Sequence, residues 1–96
     1  MSTLTIIAKL VVRDDAVQSV KAELLKMIEP TREEAGCIEY RLHQENTNPA
    51  VFIFYETWRD TESFEQHTET PHFKNYVAAV SDAVIDKALH KLTRLA

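Results

Sequence analysis

The chain has 96 residues, 45% hydrophobic and 27% charged, with a formal net charge of −4. That is the length of one domain and an ordinary globular composition, so a disordered chain and a multi-module chain are both disfavoured. The acidic balance, with Lys and Arg scattered, gives no support for nucleic-acid binding, which leans on basic surface.

Other exclusions follow from what the chain does not contain. Met1 to Val12 has no basic segment leading into a long apolar stretch, so it does not read as a signal peptide. No apolar run approaches the ~20 residues of a membrane span. Cys37 is the one cysteine, which rules out an intrachain disulfide and suits a reducing, cytoplasmic compartment. One Gly and three Pro leave little room for linkers, so residues 1–96 are expected to form a single domain.

Thr3 to Arg13 reads as a first strand, rich in Thr, Ile and Val. Leu4, Ile6, Ala8, Leu10 and Val12 share one face; Thr5, Ile7, Lys9, Val11 and Arg13 share the other. Asp14 and Asp15 offer an N-cap for a long helix to about Glu34. Its apolar stripe is Val17, Val20, Leu24 and Met27 or Ile28. Pro30 lies inside that pattern and should kink the helix or end its regular part. Gly36 is expected to close the unit as a helix C-terminal residue. Cys37 to Gln44 and Val51 to Arg59 read as two strands joined through Glu45-Asn46-Thr47-Asn48-Pro49, a loop with hairpin-type residues. Asp60 or Thr61 can cap a short helix containing Phe64 and His67. Thr70 followed by Pro71 repeats that start signal, opening a helix to about Ala83 with Phe73, Val77, Val80 and Val84 along one side. A last strand is expected from about Lys87 to Leu95.

The order β-α-β-β-α-β is the ferredoxin-like arrangement of the α+β class, with both helical units on one face of an antiparallel sheet. If Leu4, Ile6, Phe52, Phe54 and Trp58 meet the helices, then Ile7, Val11, Val51, Ile53 and Tyr55 face outward. A sheet face open to water should be mostly polar. This one mixes that apolar set with Lys9, Glu39, Arg41 and His43, the kind of patch that marks an interface. A homodimer through the open sheet face is the expectation.

Period-two alternation also puts Phe52, Phe54, Glu56 and Trp58 on the helix-facing side of the third strand. Glu56 is then an ionisable group among aromatics, whose pKa burial would raise; the plainer reading is an ion pair with a neighbouring Lys or Arg. His67 lies one turn after Phe64, where it could exchange a proton in a cleft or simply cap its helix. His72 falls in the first turn of the next helix, by default at the surface. Tyr40, Phe54, Trp58, Phe73 and Tyr76 could line one space, as core or as a ligand pocket. No HxxxH, HExxH or CxxC spacing appears, and His67 and His72 are separated by Pro71, which sets them against joint ligation from one helix face, so no metal site is expected. Cys37 reads as a small buried residue rather than a nucleophile.

The segment EEAGCIEYRLHQENTNPAVFIFYETW, followed by FEQH and TPHF, resembles the antibiotic biosynthesis monooxygenase family, particularly its small quinol monooxygenase type. The resemblance covers nearly the whole chain, and Gly36-Cys37, Tyr40, Phe54-Tyr55-Glu56, Trp58, His67 and Pro71-His72-Phe73 carry it. It implies a homodimer whose two sheets form a joint α/β barrel, each subunit holding a pocket between sheet and helices. It also implies oxidation of a quinol or polycyclic phenol by O2 without flavin or metal. His67 or Glu56 would be the catalytic base, and Tyr40, Phe54, Trp58, His72, Phe73 and Tyr76 would contact a small aromatic substrate.

Two alternatives stand beside this expectation. A related branch isomerises a phosphorylated signal molecule, and that chemistry would need cations such as Arg41, Arg59 and Lys74 to converge at the pocket mouth. A non-catalytic dimeric binding module would have Glu56 and His67 pointing apart, with no cavity between them. Haem-degrading relatives carry an Asn and a His at positions that correspond here to about Ala8 and Val77, so haem degradation is not expected.

Overall fold

Alternating apolar residues and two N-caps shape most of the chain, and a computed structural model describes residues 3–96. The four strands are β1 (Leu4–Val12), β2 (Cys37–Gln44), β3 (Val51–Trp58) and β4 (Val84–Leu92). The helices are α1 (Val17–Leu25), α2 (Ile28–Arg32), α3 (Thr61–His67) and α4 (Pro71–Val80). The strands form one antiparallel sheet in the order β2-β3-β1-β4, so the two most apolar strands sit at its centre. This is the ferredoxin-like α+β arrangement that the element order implied.

The core lies between the sheet and the helices. Ile6, Leu10 and Val12 of β1 and Phe52, Phe54 and Trp58 of β3 are buried there against Val20, Leu24 and Met27. Burying a side chain such as Leu24 contributes about 1.5–3 kcal/mol. Two of the three expected caps form. The Asp60 carboxylate accepts from Ser63 N–H at 2.8 Å and starts α3; Thr70 Oγ1 accepts from Phe73 N–H at 3.3 Å and starts α4, with Pro71 at the first helical position.

The first helical unit departs from expectation. Asp14 and Asp15 do not cap a long helix; they form a 3-10 turn with Ala16, and no side-chain cap bond starts either that turn or α1. The helix then breaks after Leu25, a full turn before Pro30, which lies inside α2. The cause is local. Pro30 has no N–H for the carbonyl four residues earlier, and its ring crowds that carbonyl; the residue in question is Lys26, where α1 ends.

Gly36 is not a left-handed helix terminator either, because no glycine has a positive φ. Its role is close approach. A Cβ at position 36 would lie 2.1 Å from Ser63 Oγ and 2.3 Å from Ser63 Cβ, while the Gly36 carbonyl accepts from Arg59 N–H at 2.8 Å.

The C-terminal boundaries shift as well. α4 ends at Val80 rather than near Ala83, and Val84 opens β4 instead of continuing the helix stripe. The Ala83 carbonyl accepts from Arg13 N–H at 2.9 Å, the Arg13 guanidinium reaches the Asp82 carbonyl, and Val84 pairs with Val12. Strand pairing therefore captures the chain three residues earlier than Lys87, and β4 ends at Leu92 rather than Leu95.

On the open face, Ile7, Val11, Ile53 and Tyr55 are half-buried beside exposed Lys9, Arg41 and His43. Val51 is the exception to the outward set: it is buried, where the β2–β3 connection folds back through Val51 N–H to the Asn48 carbonyl at 3.0 Å.

Because Ser63 is buried and held by the α3 cap, it cannot yield to a new methyl group. Gly36→Ala is expected to destabilise the fold by about 1–3 kcal/mol, the usual cost of overpacking, measured as a lower urea midpoint at unchanged slope.

Candidate functional site

Strand β3 builds one wall. Its alternation turns Phe54, Glu56 and Trp58 toward the helices, and Glu56 is only 3% exposed. No Lys or Arg pairs with it among the described residues; its Oε1 accepts from Trp58 Nε1–H at 2.9 Å. Burial pushes the Glu56 carboxyl up to about 7, with the Trp58 bond opposing and the charge of Glu34 adding to the rise. Beside it on β2, Tyr40 stacks on Phe54 with ring centroids 4.9 Å apart, and burial raises its phenol well above the ordinary range.

Helix α3 supplies the second ionisable group. His67 is its last residue and is 1% exposed. Its ring lies 4.7 Å from Trp58, 5.1 Å from Phe73 and 5.7 Å from Tyr40, centroid to centroid. The turn to α4 is tight, since the His67 carbonyl accepts from Thr70 N–H at 3.2 Å and Thr70 Oγ1–H at 2.7 Å. That turn brings His67 and His72 to a 6.0 Å ring separation.

Between the two rings sits Glu34, from the turn after α2. Its Oε2 is 2.7 Å from His67 Nδ1 and 2.7 Å from His72 Nε2. The opposite nitrogen of His67, Nε2, is buried and has no hydrogen-bond partner. Burial holds the His67 pKa below its ordinary value, partly offset by the bond to Glu34 and its charge.

The structure thus joins two histidines that the sequence kept apart, because Pro71 separates them along one helix but not across two. Glu34, His67 and His72 place one ligand-type atom each within 4.8 Å of one another, a donor set that transition metals use. Both nitrogens also lie at hydrogen-bond distance from a single carboxylate oxygen, which links the trio as a hydrogen-bonded unit.

A cavity of about 420 Å³ lies between sheet and helices, and Tyr40, Phe54, Glu56, His67, Phe73 and Tyr76 all line it. Ala8 to Leu10 of β1, Phe64 and Thr68 of the α3 region, Val77 of α4, and Lys87 to Leu89 of β4 complete it. Trp58 and His72 do not reach the cavity. Trp58 is fully buried behind Glu56 and His67, and His72 stands behind His67 on Glu34. Burial pushes the Tyr76 phenol up to about 12.

The three cations considered for a phosphate anchor do not converge. Arg41 pairs with Glu39 at 3.2 Å, Arg59 with Asp60 at 3.5 Å and Lys74 with Glu69 at 3.3 Å, and none lines the cavity; Lys9 and Lys87 do. Cys37 is half-buried, and burial pushes its thiol up to about 11, far from the range of a nucleophilic thiolate. Glu34 is the functional candidate that the sequence reading passed over. It follows an acidic residue in a turn, and nothing local distinguishes it from a solvated charge.

With the cavity in view, the likeness to known proteins becomes informative. The antibiotic biosynthesis monooxygenase family matches residues 3–79. An uncharacterised Synechocystis protein is 32% identical over 85 residues, which cover 88% of this chain; the chain spans only 58% of that relative's length. "Putative monooxygenase Rv0793" of Mycobacterium tuberculosis is 35% identical over 84% of this chain and 79% of its own. The crystal structure of PA3566 from Pseudomonas aeruginosa superposes with a TM-score of 0.95 at 31% identity, covering 100% of this chain and 97% of the other. Fold, element order and extended sequence match agree: this chain belongs to the antibiotic biosynthesis monooxygenase family.

Proposed function

We propose that this chain is a monooxygenase that oxidises a quinol or polycyclic phenol with O2, acting as a homodimer. The observation that carries the reading is the partnerless His67 Nε2, buried in the wall of a largely aromatic cavity. A buried acceptor without a partner costs about 1–3 kcal/mol, and a substrate hydroxyl donated to Nε2 removes that cost. Family membership and the monooxygenase name of the Mycobacterium relative support the same class of reaction.

His67 Nε2 takes the hydroxyl proton, and the resulting phenolate is electron-rich enough to pass one electron to O2. The phenoxyl and superoxide radicals recombine with formation of a C–O bond on the ring. Elimination of water then breaks the O–O bond and gives a quinone. One phenol with a free ring C–H and one O2 thus become one quinone and one water, with every electron supplied by the substrate. Glu56, its carboxyl raised to about 7 by burial, donates its proton toward the peroxide oxygen. Environments that separate the protonation states of two neighbouring groups are a recurring way to divide acid from base. Tyr40, Phe54, Phe73 and Tyr76 flank the ring and exclude water; Trp58 holds Glu56, and His72 acts through Glu34 instead of touching substrate.

Oxygen uptake with a panel of hydroquinones and polycyclic phenols is expected for the wild type. His67→Ala should lower kcat by about 10²–10⁴, the usual weight of a general base. A wild type that consumes no oxygen with any phenol would refute the reading.

Stability against pH gives a second expectation. A carboxyl raised from 4.5 to about 7 in the fold binds its proton more tightly there than in the unfolded chain. Its contribution is therefore favourable at acidic pH and is lost as pH rises through about 7. Glu56→Gln keeps an oxygen for Trp58 and cannot ionise. It should be more stable than wild type at pH 8 by up to about 3 kcal/mol, with the gap closing toward pH 4.5; a pH-independent difference in thermal unfolding would contradict this.

The half-buried Ile7, Val11, Ile53 and Tyr55 of the open face suit a second sheet laid across them. Sedimentation at micromolar concentration should give twice the mass of the chain, and Ile53→Lys should give the monomer. A monomeric wild type would remove the homodimer from the proposal.

A further inference from the structure

One carboxylate oxygen serves two imidazoles, and this restricts where protons can reside. Glu34 Oε2 lies 2.7 Å from His67 Nδ1 and 2.7 Å from His72 Nε2. The side chains grade outward: His67 is 1% exposed, Glu34 15% and His72 24%. An ionised carboxylate only accepts hydrogen bonds, so Nδ1 of His67 must carry the hydrogen. In the neutral ring the lone pair then belongs to Nε2, the same atom that is buried without a partner.

We propose that Glu34 is a positioning residue that fixes His67 in the Nδ1–H tautomer, leaving its buried Nε2 bare, and that His72 shares the carboxylate so that only one of the two rings is charged at a time. The tautomer and the coupling stand apart from the monooxygenase reading; only the description of Nε2 as a base rests on it.

The coupling follows from charge. A single carboxylate compensates one imidazolium in this half-buried setting, and a second positive charge on the same oxygen is opposed by the first. When His67 Nε2 takes a proton from a hydroxyl, Glu34 becomes the counter-ion of His67.

Other groups near the trio do not take over this role. His67 also faces Tyr40 from β2 and, across the cavity, Glu56 from β3, while His72 shares a surface recess with Glu23, Lys26 and Tyr76. Tyr40 and Tyr76 are held neutral at physiological pH by burial, and Glu23 and Lys26 are paired with each other at 2.7 Å. That leaves Glu34 as the charge in direct contact with both rings.

Nitrogen-15 NMR of the imidazole side chains tests both halves. In the wild type at pH 8, His67 should show a protonated Nδ1 and a bare Nε2; a hydrogen on Nε2 instead would overturn the positioning role. Glu34→Gln should bring the second tautomer into the spectrum. His72→Gln keeps a donor for Glu34 but cannot carry charge, so the titration of His67 should move to higher pH. An unmoved His67 titration in that variant would overturn the sharing. The wild-type tautomer can be read whether or not the variants fold. A bare Nε2 with no oxygen uptake would leave this inference standing while sinking the monooxygenase reading, and uptake by a chain whose His67 carries hydrogen on Nε2 would do the reverse.

Discussion

Two ionisable side chains, Glu56 and His67, are buried in an aromatic wall, and the fold keeps each largely neutral with one polar partner. An uncompensated charge in such surroundings costs several kcal/mol, whereas a neutral hydrogen-bonded group costs little. Trp58 Nε1 serves Glu56 and Glu34 serves His67. The two environments act in opposite senses on pH. Burial raises the Glu56 carboxyl and depresses the His67 imidazole, so it favours the neutral form of both groups that face the cavity. Removing either partner would leave a buried polar atom unsatisfied, which is why Trp58 and Glu34 matter to the site although Trp58 does not line it and Glu34 stands behind His67.

The parts of this arrangement that depend on periodicity were readable from sequence. Alternation along β3 put Glu56 and Trp58 on one face with Phe54, and the Asp60 and Thr70-Pro71 signals located the starts of α3 and α4. The helical turn from Phe64 to His67 allowed either an inward histidine or a helix cap, and packing buries the ring. What alternation cannot express is contact across distant segments. Glu34 meets His67 thirty-three positions later from a turn whose path depends on where α1 breaks. That break is set by the carbonyl of Lys26, which Pro30 cannot satisfy, so a proline reads in sequence one turn later than it acts. Gly36 shows the same limit. Its lack of a side chain suggests a left-handed terminator, whereas the constraint is the approach of Ser63, a residue on another element.

The same geometry explains why Glu34 escaped notice while His67 did not. A histidine one turn after an aromatic residue has an orientation that a single helix fixes. An acidic residue in an acidic turn has none until the packing of α2, α3 and α4 supplies it. Pro71 was a misleading separator for a related reason: it terminates the continuity of one helix, but as the first residue of α4 it also turns the chain back so that His72 meets the carboxylate from the other side.

The open end of the cavity follows from the size of the domain. α4 is ten residues long, and only Val80 on it is buried, so it cannot cover the edge strand. Beyond Val84, every residue of β4 is exposed. On the inward register of that strand, Lys87, Leu89 and Lys91 pair with Leu10, Ala8 and Ile6; Lys91 Nζ hangs 5.8 Å over the Phe64 ring, and Lys87 and Leu89 line the cavity. A lysine can lay its apolar stem along a rim while its ammonium stays in water. The rim beside β4 therefore carries Leu89 with the lysines Lys87 and Lys91, while the ionisable Glu56 and His67 belong to β3 and α3, away from that edge strand.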